Sequence, residues 1–378
     1  MRCPRCLNSD PYYFYKGSKG WMCRRCVGFR RILIDEEYES EADYEIRADV
    51  EEYVLDYPLT EAQKEVAHQC ALSVVEHDVV IEAVCGAGKT EMVMETIRMA
   101  LSMHKRIGFA VARRQVVLEL ADRLAKAFRS AKVVAVCQGY TNDVEGDLIV
   151  CTTHQCYRYY QYFDYLILDE PDAFPYKGNV VLQGIVRTSC RGHIIYMSAT
   201  LDDYLKDRLK DKDVVHLYLS QRPHGHPLPV PKVRVAPLVF LLYQVMNASS
   251  YGKKVLVFVP TIKWAKILGR VMNTAYVTSA SGDKQEKIDE FRRKERGVLI
   301  ATTILERGVT FPGIDVIVFL ADHGVFDEAS LIQMSGRVGR SFSCPSGKCL
   351  FLCNSVSEEV KKCVKSCEKA NHAVSVLS

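Results

Sequence analysis

Residues 79–90, VVIEAVCGAGKT, decide the fold. Residues 79–84 have the pattern of a buried apolar strand, and a helical pattern runs over residues 91–103, directly after the run GAGKT. Strand, glycine-rich turn and helix is the order that a phosphate-binding loop needs. A glycine turn without a ligand is the alternative, because Ala83 stands where the strict pattern GxxxxGK[ST] has Gly.

Each residue type in GAGKT suits the binding of a triphosphate. Gly86, Ala87 and Gly88 allow successive backbone N–H groups to converge on an anion, and the following helix start adds partial positive charge. Lys89 reaches the β- and γ-phosphates, and Thr90 ligates Mg²⁺. The expected cofactors are therefore ATP and Mg²⁺.

Length and composition indicate a globular protein of two large domains plus an appendage. The chain has 378 residues, of which 48% are hydrophobic and 25% charged. A net charge of +4 is too small to indicate nucleic-acid binding by itself. No apolar run approaches the 18 or so residues of a membrane-spanning helix, and the N-terminus lacks a leader pattern, so we expect a soluble intracellular protein. Its fifteen cysteines then indicate reduced thiols and metal rather than disulfides.

Cys3, Cys6, Cys23 and Cys26 form two CxxC pairs separated by sixteen residues, the spacing of a four-thiolate zinc site. The surrounding residues 1–31 carry eight basic side chains against one acid, Asp10, with aromatic residues interleaved. Such a surface suits a phosphate backbone and stacked bases. A purely structural module whose aromatics form its core is the alternative.

Strongly acidic sequence follows the cysteines. Between positions 35 and 56 there are eleven acidic residues against Arg47 alone, which predicts a solvated linker. Competition with nucleic acid for the basic module is the alternative role. A second linker is predicted at QRPHGHPLPVP, residues 221–231, because its prolines favour an extended chain.

Between the two linkers, strand and helix patterns alternate, which predicts a doubly wound, mostly parallel sheet. Thr60 is a predicted N-cap of the first helix, and Gln63 lies in its first turn, where it is a candidate for reading the adenine edge. A buried strand pattern ends directly at Asp169 and Glu170. Asp169 is expected to hold Mg²⁺ through water, and Glu170 to polarise the attacking water. An acidic turn is the alternative.

The alternation restarts after the proline-rich stretch, without a second glycine-rich phosphate loop. A strand pattern runs into TTILERGVT, where small residues and Gly308 suit close backbone approach to phosphates. The run QMSGRVGR then places Arg337 and Arg340 three residues apart, and guanidinium groups stabilise charge on a transferring phosphoryl group. A surface arginine pair is the alternative.

Taken in order, Gln63, AVCGAGKT, LDEPD, SAT, TTILERGVTF and QMSGRVGR resemble the Q motif and motifs I, II, III, V and VI of superfamily 2 helicases. The resemblance implies two RecA-like domains with ATP in the cleft between them, and nucleic acid across both. It also implies the residues that touch nucleic acid: Arg113, Arg114, Thr152, Thr153, His154, Thr302 and Thr303. The expected organisation is a four-cysteine zinc module (1–34), an acidic linker (35–57), RecA-like domain 1 (58–220), a proline-rich linker (221–234) and RecA-like domain 2 (235–378).

The four cysteines before a helicase core, together with TTHQ and DEPDAFPY, are similar to the ComFA family of late competence ATPases. This resemblance implies transport of single-stranded DNA through the membrane channel during transformation. It also implies a cytoplasmic location at the inner face of the membrane, with ComFC and the membrane DNA channel as partners. The oligomeric state stays open.

We therefore expect an ATP- and Mg²⁺-dependent single-stranded-DNA translocase that also carries Zn²⁺. One alternative is a DNA helicase of repair or replication restart. Another is a zinc-dependent DNA-binding protein in which ATP acts only as a switch.

Overall fold

The computed structural model describes residues 1–248, 252–306 and 311–377. The chain divides into two compact units. One contains Met1–Ala83 and Gly88–Leu219, and the other contains Val84–Ala87 and the chain from Ser220 onward.

The first unit begins with a small antiparallel hairpin. Its strands β1 (Phe14–Gly17) and β2 (Gly20–Cys23) pair so that Phe14 lies opposite Cys23. Single turns of 3-10 helix flank the hairpin at Pro11–Tyr13 and Val27–Phe29. The residues after the hairpin form no long helix or strand until the first α-helix.

A seven-stranded, wholly parallel sheet forms the core of the first unit, in the order β5-β6-β4-β7-β8-β3-β9. Its strands are β3 (Asp78–Ala83), β4 (Ile107–Val111), β5 (Val133–Val136), β6 (Leu148–Thr152), β7 (Phe163–Asp169), β8 (Cys190–Ser198) and β9 (Val214–Leu219). The helices are α1 (Glu61–Ser73), α2 (Lys89–Met92), α3 (Met94–Ser102), α4 (Arg114–Ala127), α5 (Val180–Ser189) and α6 (Asp203–Arg208). Since all strands are parallel, their carboxyl ends meet at one edge of the sheet, where α/β proteins bind ligands.

The second unit contains a six-stranded parallel sheet in the order β10-β15-β14-β11-β13-β12. Its strands are β10 (Lys232–Val235), β11 (Lys254–Phe258), β12 (Tyr276–Val277), β13 (Gly297–Ala301), β14 (Ile314–Phe319) and β15 (Cys349–Cys353). The helices are α7 (Leu238–Met246), α8 (Ile262–Val271), α9 (Lys284–Arg293), α10 (Glu328–Ser335) and α11 (Glu358–Leu377).

The predicted fold class is confirmed: two doubly wound parallel sheets follow a small four-cysteine module. The helix predicted over 91–103 is interrupted at Val93, which lies between α2 and α3. Strand β10 begins inside the stretch predicted to be the proline-rich linker.

The acidic segment lies against the first domain, although its composition predicts a solvated linker. Ala42, Ala48 and Val50 are buried. Asp147 accepts hydrogen bonds from the backbone N–H groups of Arg47 and Ala48 at 2.8 and 3.2 Å. The small apolar residues between the acids supply this packing, and they are too few to produce a periodic pattern.

Candidate nucleotide, nucleic-acid and metal sites

The glycine-rich loop (residues 83–90) follows β3 and turns sharply twice. Gly86 and Gly88 have φ of +85° and +80°, a region that side chains other than glycine disfavour. Lys89 Nζ bends back over the loop and donates to the Ala83 carbonyl oxygen at 2.9 Å. Thr90 is the second residue of α2. This is the local geometry of a strand, loop and helix that bind phosphates.

Gln63 lies beside this loop, far from it in sequence. A methyl group at position 88 would lie 2.5 Å from Gln63 Nε2, and Gln63 is only 3% exposed. Its Oε1 accepts from the Thr60 backbone N–H at 2.9 Å, and the Thr60 hydroxyl accepts from Gln63 N–H at 3.3 Å. The capping box of α1 therefore holds Gln63 against the glycine-rich loop.

Asp169 is the last residue of β7, and Glu170 follows it at the same sheet edge. Glu170 has φ of +55°, in the left-handed region, and its N–H donates to the Met197 carbonyl at 2.9 Å. A non-glycine residue held in this conformation is a marker of functional sites. Both carboxylates are half-buried at the strand end.

Asp172 is a residue whose position sequence reasoning did not explain. It is 2% exposed and accepts from Ser198 Oγ at 2.8 Å and from Thr200 Oγ1 at 2.7 Å. The two hydroxyl groups belong to the SAT run after β8. The structure thus joins LDEPD to SAT through one carboxylate, a link that the spacing of the two runs does not reveal.

The candidate nucleic-acid residues of the first unit follow β4 and β6. Thr153 Oγ1 donates inward to the Val111 carbonyl at 3.2 Å, which ties the ends of the two strands together. Arg114 Nε donates to the Gln138 carbonyl at 2.8 Å. Arg113 precedes α4 and is half-buried, while Thr152 is buried at the end of β6.

His154, like Arg114, is exposed. It stacks on Phe29 of the four-cysteine module (residues 1–34), with ring centroids 5.9 Å apart and planes at 21°. The structure therefore brings the module next to the TTHQ run, although the two are far apart in sequence.

In the second unit, Arg337 lies next to the TTILE run. It is 1% exposed, and its Nε donates to the Glu306 carbonyl at 3.0 Å. Arg340 is half-buried and donates to the Gly336 carbonyl at 2.8 Å. The two arginines therefore have different surroundings.

The hydroxyl residues expected near phosphates lie at the carboxyl end of β13. Thr302 is buried and begins a single 3-10 turn that contains Thr303. Gly308, the other candidate in this run, lies outside the described residues.

Arg222, in the predicted proline-rich linker, has a role that sequence reasoning missed. It is 2% exposed. It donates to the carbonyls of Gly336, Val338 and Gly339 at 3.1, 2.8 and 3.0 Å. Burial lowers the pKa of its guanidinium to about 10, so the group stays charged at neutral pH. Arg222 therefore holds the SGRVGR turn from within the same unit.

The four N-terminal cysteines converge, and their sulfur atoms all lie within 4.8 Å of one another. The Cys3–Cys26 and Cys6–Cys23 sulfur pairs are each 3.7 Å apart. A tetrahedral site with Zn–S bonds of about 2.3 Å has edges of about 3.8 Å, so the donor set fits zinc. Hydrogen bonds from Cys26 and Cys6 hold the pKa of the Cys3 thiol well below its usual range.

Arg5 supports this cysteine cluster from inside the module, where it is 2% exposed. Its Nη2 lies 3.2 Å from Cys26 Sγ and also donates to the Cys26 carbonyl at 2.8 Å. Hydrogen bonds to ligand atoms of this kind orient metal ligands and stabilise thiolates.

The C-terminal cysteines are not a second metal cluster within the described part of the chain. Cys349, Cys353, Cys363 and Cys367 are buried in the hydrophobic core, and Cys344 is exposed.

Two family profiles match the chain, one for each large domain. "Type III restriction enzyme, res subunit" matches residues 56–203, and "Helicase conserved C-terminal domain" matches residues 238–342. With the glycine-rich loop, these matches define the class: a helicase-type ATPase of superfamily 2, whose domains use ATP with Mg²⁺.

The chain belongs to the ComFA family of competence proteins. It is 32% identical to competence protein ComFA of Streptococcus pneumoniae, over 98% of this chain and 90% of that protein. It is also 32% identical to competence protein ComFA of Bacillus subtilis, over 93% of this chain and 81% of that protein. Its role in competence is therefore ATP-dependent and helicase-like.

Solved structures show the same fold at low identity. Saccharomyces cerevisiae Dbp5 bound to RNA and ADP BeF3 matches with a TM-score of 0.57 and 16% identity, over 82% of this chain and 91% of that one. RecG bound to a three-way DNA junction matches with a TM-score of 0.57 and 19% identity, over 84% of this chain and 47% of that one. No helix among the described residues is long and apolar enough to cross a membrane.

Proposed function

We propose that this protein is a DNA-stimulated ATPase that translocates along single-stranded DNA during DNA uptake. The observation that carries the proposal is the shared sheet edge. The glycine-rich loop, the two carboxylates and the TTHQ run lie at the carboxyl ends of β3, β7 and β6, which are strands of one parallel sheet. ATP chemistry and a strand of nucleic acid then contact the same rigid element, which is what mechanical coupling requires.

In this proposal Lys89 binds the β- and γ-phosphates, and Thr90 and Asp169 hold Mg²⁺. Glu170 orients the attacking water, while Arg337 and Arg340 stabilise the charge that develops on the transferred phosphoryl group. Gln63 contacts the base, and the backbone of Gly86–Gly88 and the Gly308 region contacts phosphates. Arg113, Arg114, His154 and the threonines at 152, 153, 302 and 303 follow the DNA backbone.

The experiment that tests the proposal compares ATP hydrolysis by the full chain with single-stranded DNA, duplex DNA, RNA or no nucleic acid. We expect single-stranded DNA to stimulate most, and stimulation to fall as salt rises because phosphate contacts release counterions. Equal rates with and without single-stranded DNA would refute it. Displacement of streptavidin from a biotinylated strand end, without unwinding of long duplexes, distinguishes translocation from helicase activity.

We also propose that the four-cysteine module binds one Zn²⁺ and contributes to DNA binding. Cys23→Ser should lose the metal and weaken DNA binding, because the module packs beside His154 through Phe29. Cys344→Ser is the matched control, since this thiol is exposed and outside the cluster. Metal analysis of the purified chain decides: a wild-type protein without stoichiometric zinc contradicts the assignment.

The proposal includes contact with ComFC and the membrane DNA channel, on family resemblance. Co-purification of each partner with the full chain tests this part separately.

A further inference from the structure

A cavity of about 470 Å³ lies between the four-cysteine module and the first RecA-like domain, within the first unit. The module contributes residues 6–10 and Arg25 to its lining, and the domain contributes residues of α5, β8 and α6. The lining contains none of the residues assigned above to ATP, Mg²⁺ or DNA. Its volume is within the range of about 300–1,000 Å³ that is typical of small-molecule sites.

Close backbone packing defines the shape of this cavity. A methyl group at Gly184 would lie 2.1 Å from the Cys6 carbonyl oxygen, so α5 and the cysteine loop touch where only glycine fits. Thr188 Oγ1 donates to the Arg5 carbonyl at 2.7 Å, one turn further along α5. The two walls are therefore held together by the protein itself.

The lining is strongly basic. It contains three arginines, Arg25, Arg187 and Arg208, against one acid, Asp10. A guanidinium group has five N–H donors and no acceptor, so it binds oxyanions in preference to neutral groups.

Arg25 is held in place while most of its donors remain available. Its Nη1 donates to Asn8 Oδ1 at 2.9 Å, and its guanidinium lies 4.9 Å from the Tyr13 ring centroid. Asn8 is 4% exposed and in turn donates to the Asp10 carbonyl at 3.1 Å. Side chains oriented by buried partners lose less entropy when they bind a ligand.

The opposite wall presents two further arginines and two phenols. Arg187 Nη1 donates to the Gly192 carbonyl at 3.2 Å. Arg208 Nη2 pairs with Asp78 at 2.6 Å, and within the described chain its buried Nε has no hydrogen-bond partner. Tyr196 and Tyr204 bring their hydroxyl groups to 3.4 Å from each other at the cavity wall. Asp78 offsets the charge of Arg208, and Asp10 in the lining offsets one further charge, so Arg25 and Arg187 together carry one unbalanced positive charge.

We infer that this cavity binds a phosphate monoester attached to a nucleoside. Guanidinium groups match phosphate oxygens with paired, charge-assisted hydrogen bonds, and the phenols suit the attached polar sugar or base. The phosphate has two possible sources, a free mononucleotide or the terminal phosphate of a DNA strand. Only the second source rests on the proposed function.

The test measures binding of dTMP to the full zinc-loaded chain by calorimetry, with a non-hydrolysable ATP analogue and Mg²⁺ saturating the glycine-rich loop. Arg25→Gln combined with Arg187→Gln should weaken binding by about tenfold or more, because even one charge-assisted hydrogen bond is worth about that factor. The matched control, Lys206→Gln combined with Lys210→Gln, removes the same charge from exposed side chains that neither line the cavity nor belong to the four-cysteine module, and it should leave binding unchanged.

A second arm compares (dT)10 with a 5′-phosphate and (dT)10 with a 5′-hydroxyl. Tighter binding of the phosphorylated strand in the wild type, lost in the double variant, assigns the site to strand ends, whereas dTMP binding alone assigns it to free nucleotides. If the double variant and the control variant bind dTMP and the phosphorylated strand with the same affinity, the inference is wrong.

Zinc content and melting temperature check that the double variant is folded. If the double variant loses zinc, the binding measurements are made on Arg187→Glu alone. Arg187 is an exposed residue of α5 outside the four-cysteine module, so this substitution leaves the zinc site intact. Unchanged dTMP and strand binding by folded Arg187→Glu would also overturn the inference. Neither binding assay needs ATP hydrolysis, so failure of the ATPase proposal is seen separately.

Discussion

The two RecA-like sheets make the same strand-to-helix connection in different ways. After β3 the chain forms the glycine-rich loop, and Gly88, at the start of α2, supplies no side-chain cap. The connection between β11 and α8 has two residues fewer than the connection between β3 and α2, and it contains no glycine. There Thr261 is the N-cap of α8, and its Oγ1 accepts a hydrogen bond from the Trp264 N–H at 3.2 Å.

The acidic residues near the carboxyl ends of the strands also differ between the two domains. Asp322, after β14, accepts backbone N–H groups of Asn354 and Ser355 at 3.2 and 3.1 Å. Asp169 and Glu170, at the carboxyl end of β7, lie at the sheet edge that carries the glycine-rich loop. The same fold thus has two kinds of helix start. The start of α8 is capped by a protein side chain, which stabilises the domain, whereas the start of α2 is built from glycine backbone and is proposed to bind the phosphates of ATP.

Substitution of the acidic residue Glu170 is expected to have the largest effect, which is on ATP turnover. Glu170→Gln should lower ATP turnover by about 10²–10⁴-fold, the usual contribution of a general base, while ATP still binds. Asp322→Asn should leave turnover near that of the wild type, because Asp322 bonds the chain's own backbone. Steady-state hydrolysis and nucleotide-binding assays on both variants check this, and normal turnover by Glu170→Gln would contradict the site assignment.

Lys89→Ala should lower turnover by about 10²–10³-fold, since it removes a positive group from developing phosphate charge. Lys263→Ala is the matched control in α8, which begins with the Thr261 cap, and should not change the rate. The same hydrolysis assay applies, and equal losses in the two variants would mean that the two helix starts are not functionally different.

Gly88→Ala should destabilise the first domain by about 1–2 kcal/mol, the cost of the left-handed conformation for a side-chain-bearing residue. It should also weaken ATP binding, because the added methyl group meets Gln63. Gly324→Ala, where a methyl group has nothing within 4 Å, is the control. Urea denaturation with and without an ATP analogue measures both effects, and equal stability of the two variants would argue against the strained loop.

The smallest effect is expected at the protein-capped helix. Thr261→Ala should cost about 1 kcal/mol of stability in the second domain through loss of the N-cap. ATP binding should stay unchanged, because this helix start is assigned no ligand. Urea denaturation and nucleotide titration measure the two quantities, and a loss of ATP affinity without loss of stability would contradict the comparison.

Much of the fold was predictable because its signals are local. The strands β3, β4, β7, β11 and β13 are short apolar runs, and α4 and α8 have helical periodicity. Strand β9, strand β15 and helix α5 were not predicted. The sequences of β9 and α5 carry mixed patterns, and packing within the first unit decides their conformation, whereas β15 is a short apolar run of the same kind as β3 that was overlooked.

The sequence was enough to predict which motifs form the candidate site, but not how their side chains are arranged in space. GAGKT and the carboxylates after β7 are recognisable because their chemistry requires particular residues at particular spacings. Asp172 between Ser198 and Thr200 was missed, because hydrogen bonds between distant runs leave no periodic trace. Arg222 was missed for the same reason, since it lies in a stretch whose prolines indicated only a linker.

The sequence by itself determined the class of fold, the phosphate loop and the four-cysteine cluster, since these depend on residue type and spacing along the chain. Only the tertiary structure decided that Gln63 lies beside Gly88, that Arg5 supports Cys26, and that the cysteine module and α5 together line a basic cavity. These contacts join residues far apart in the chain, and their partners are selected by the packing of whole elements rather than by any local pattern.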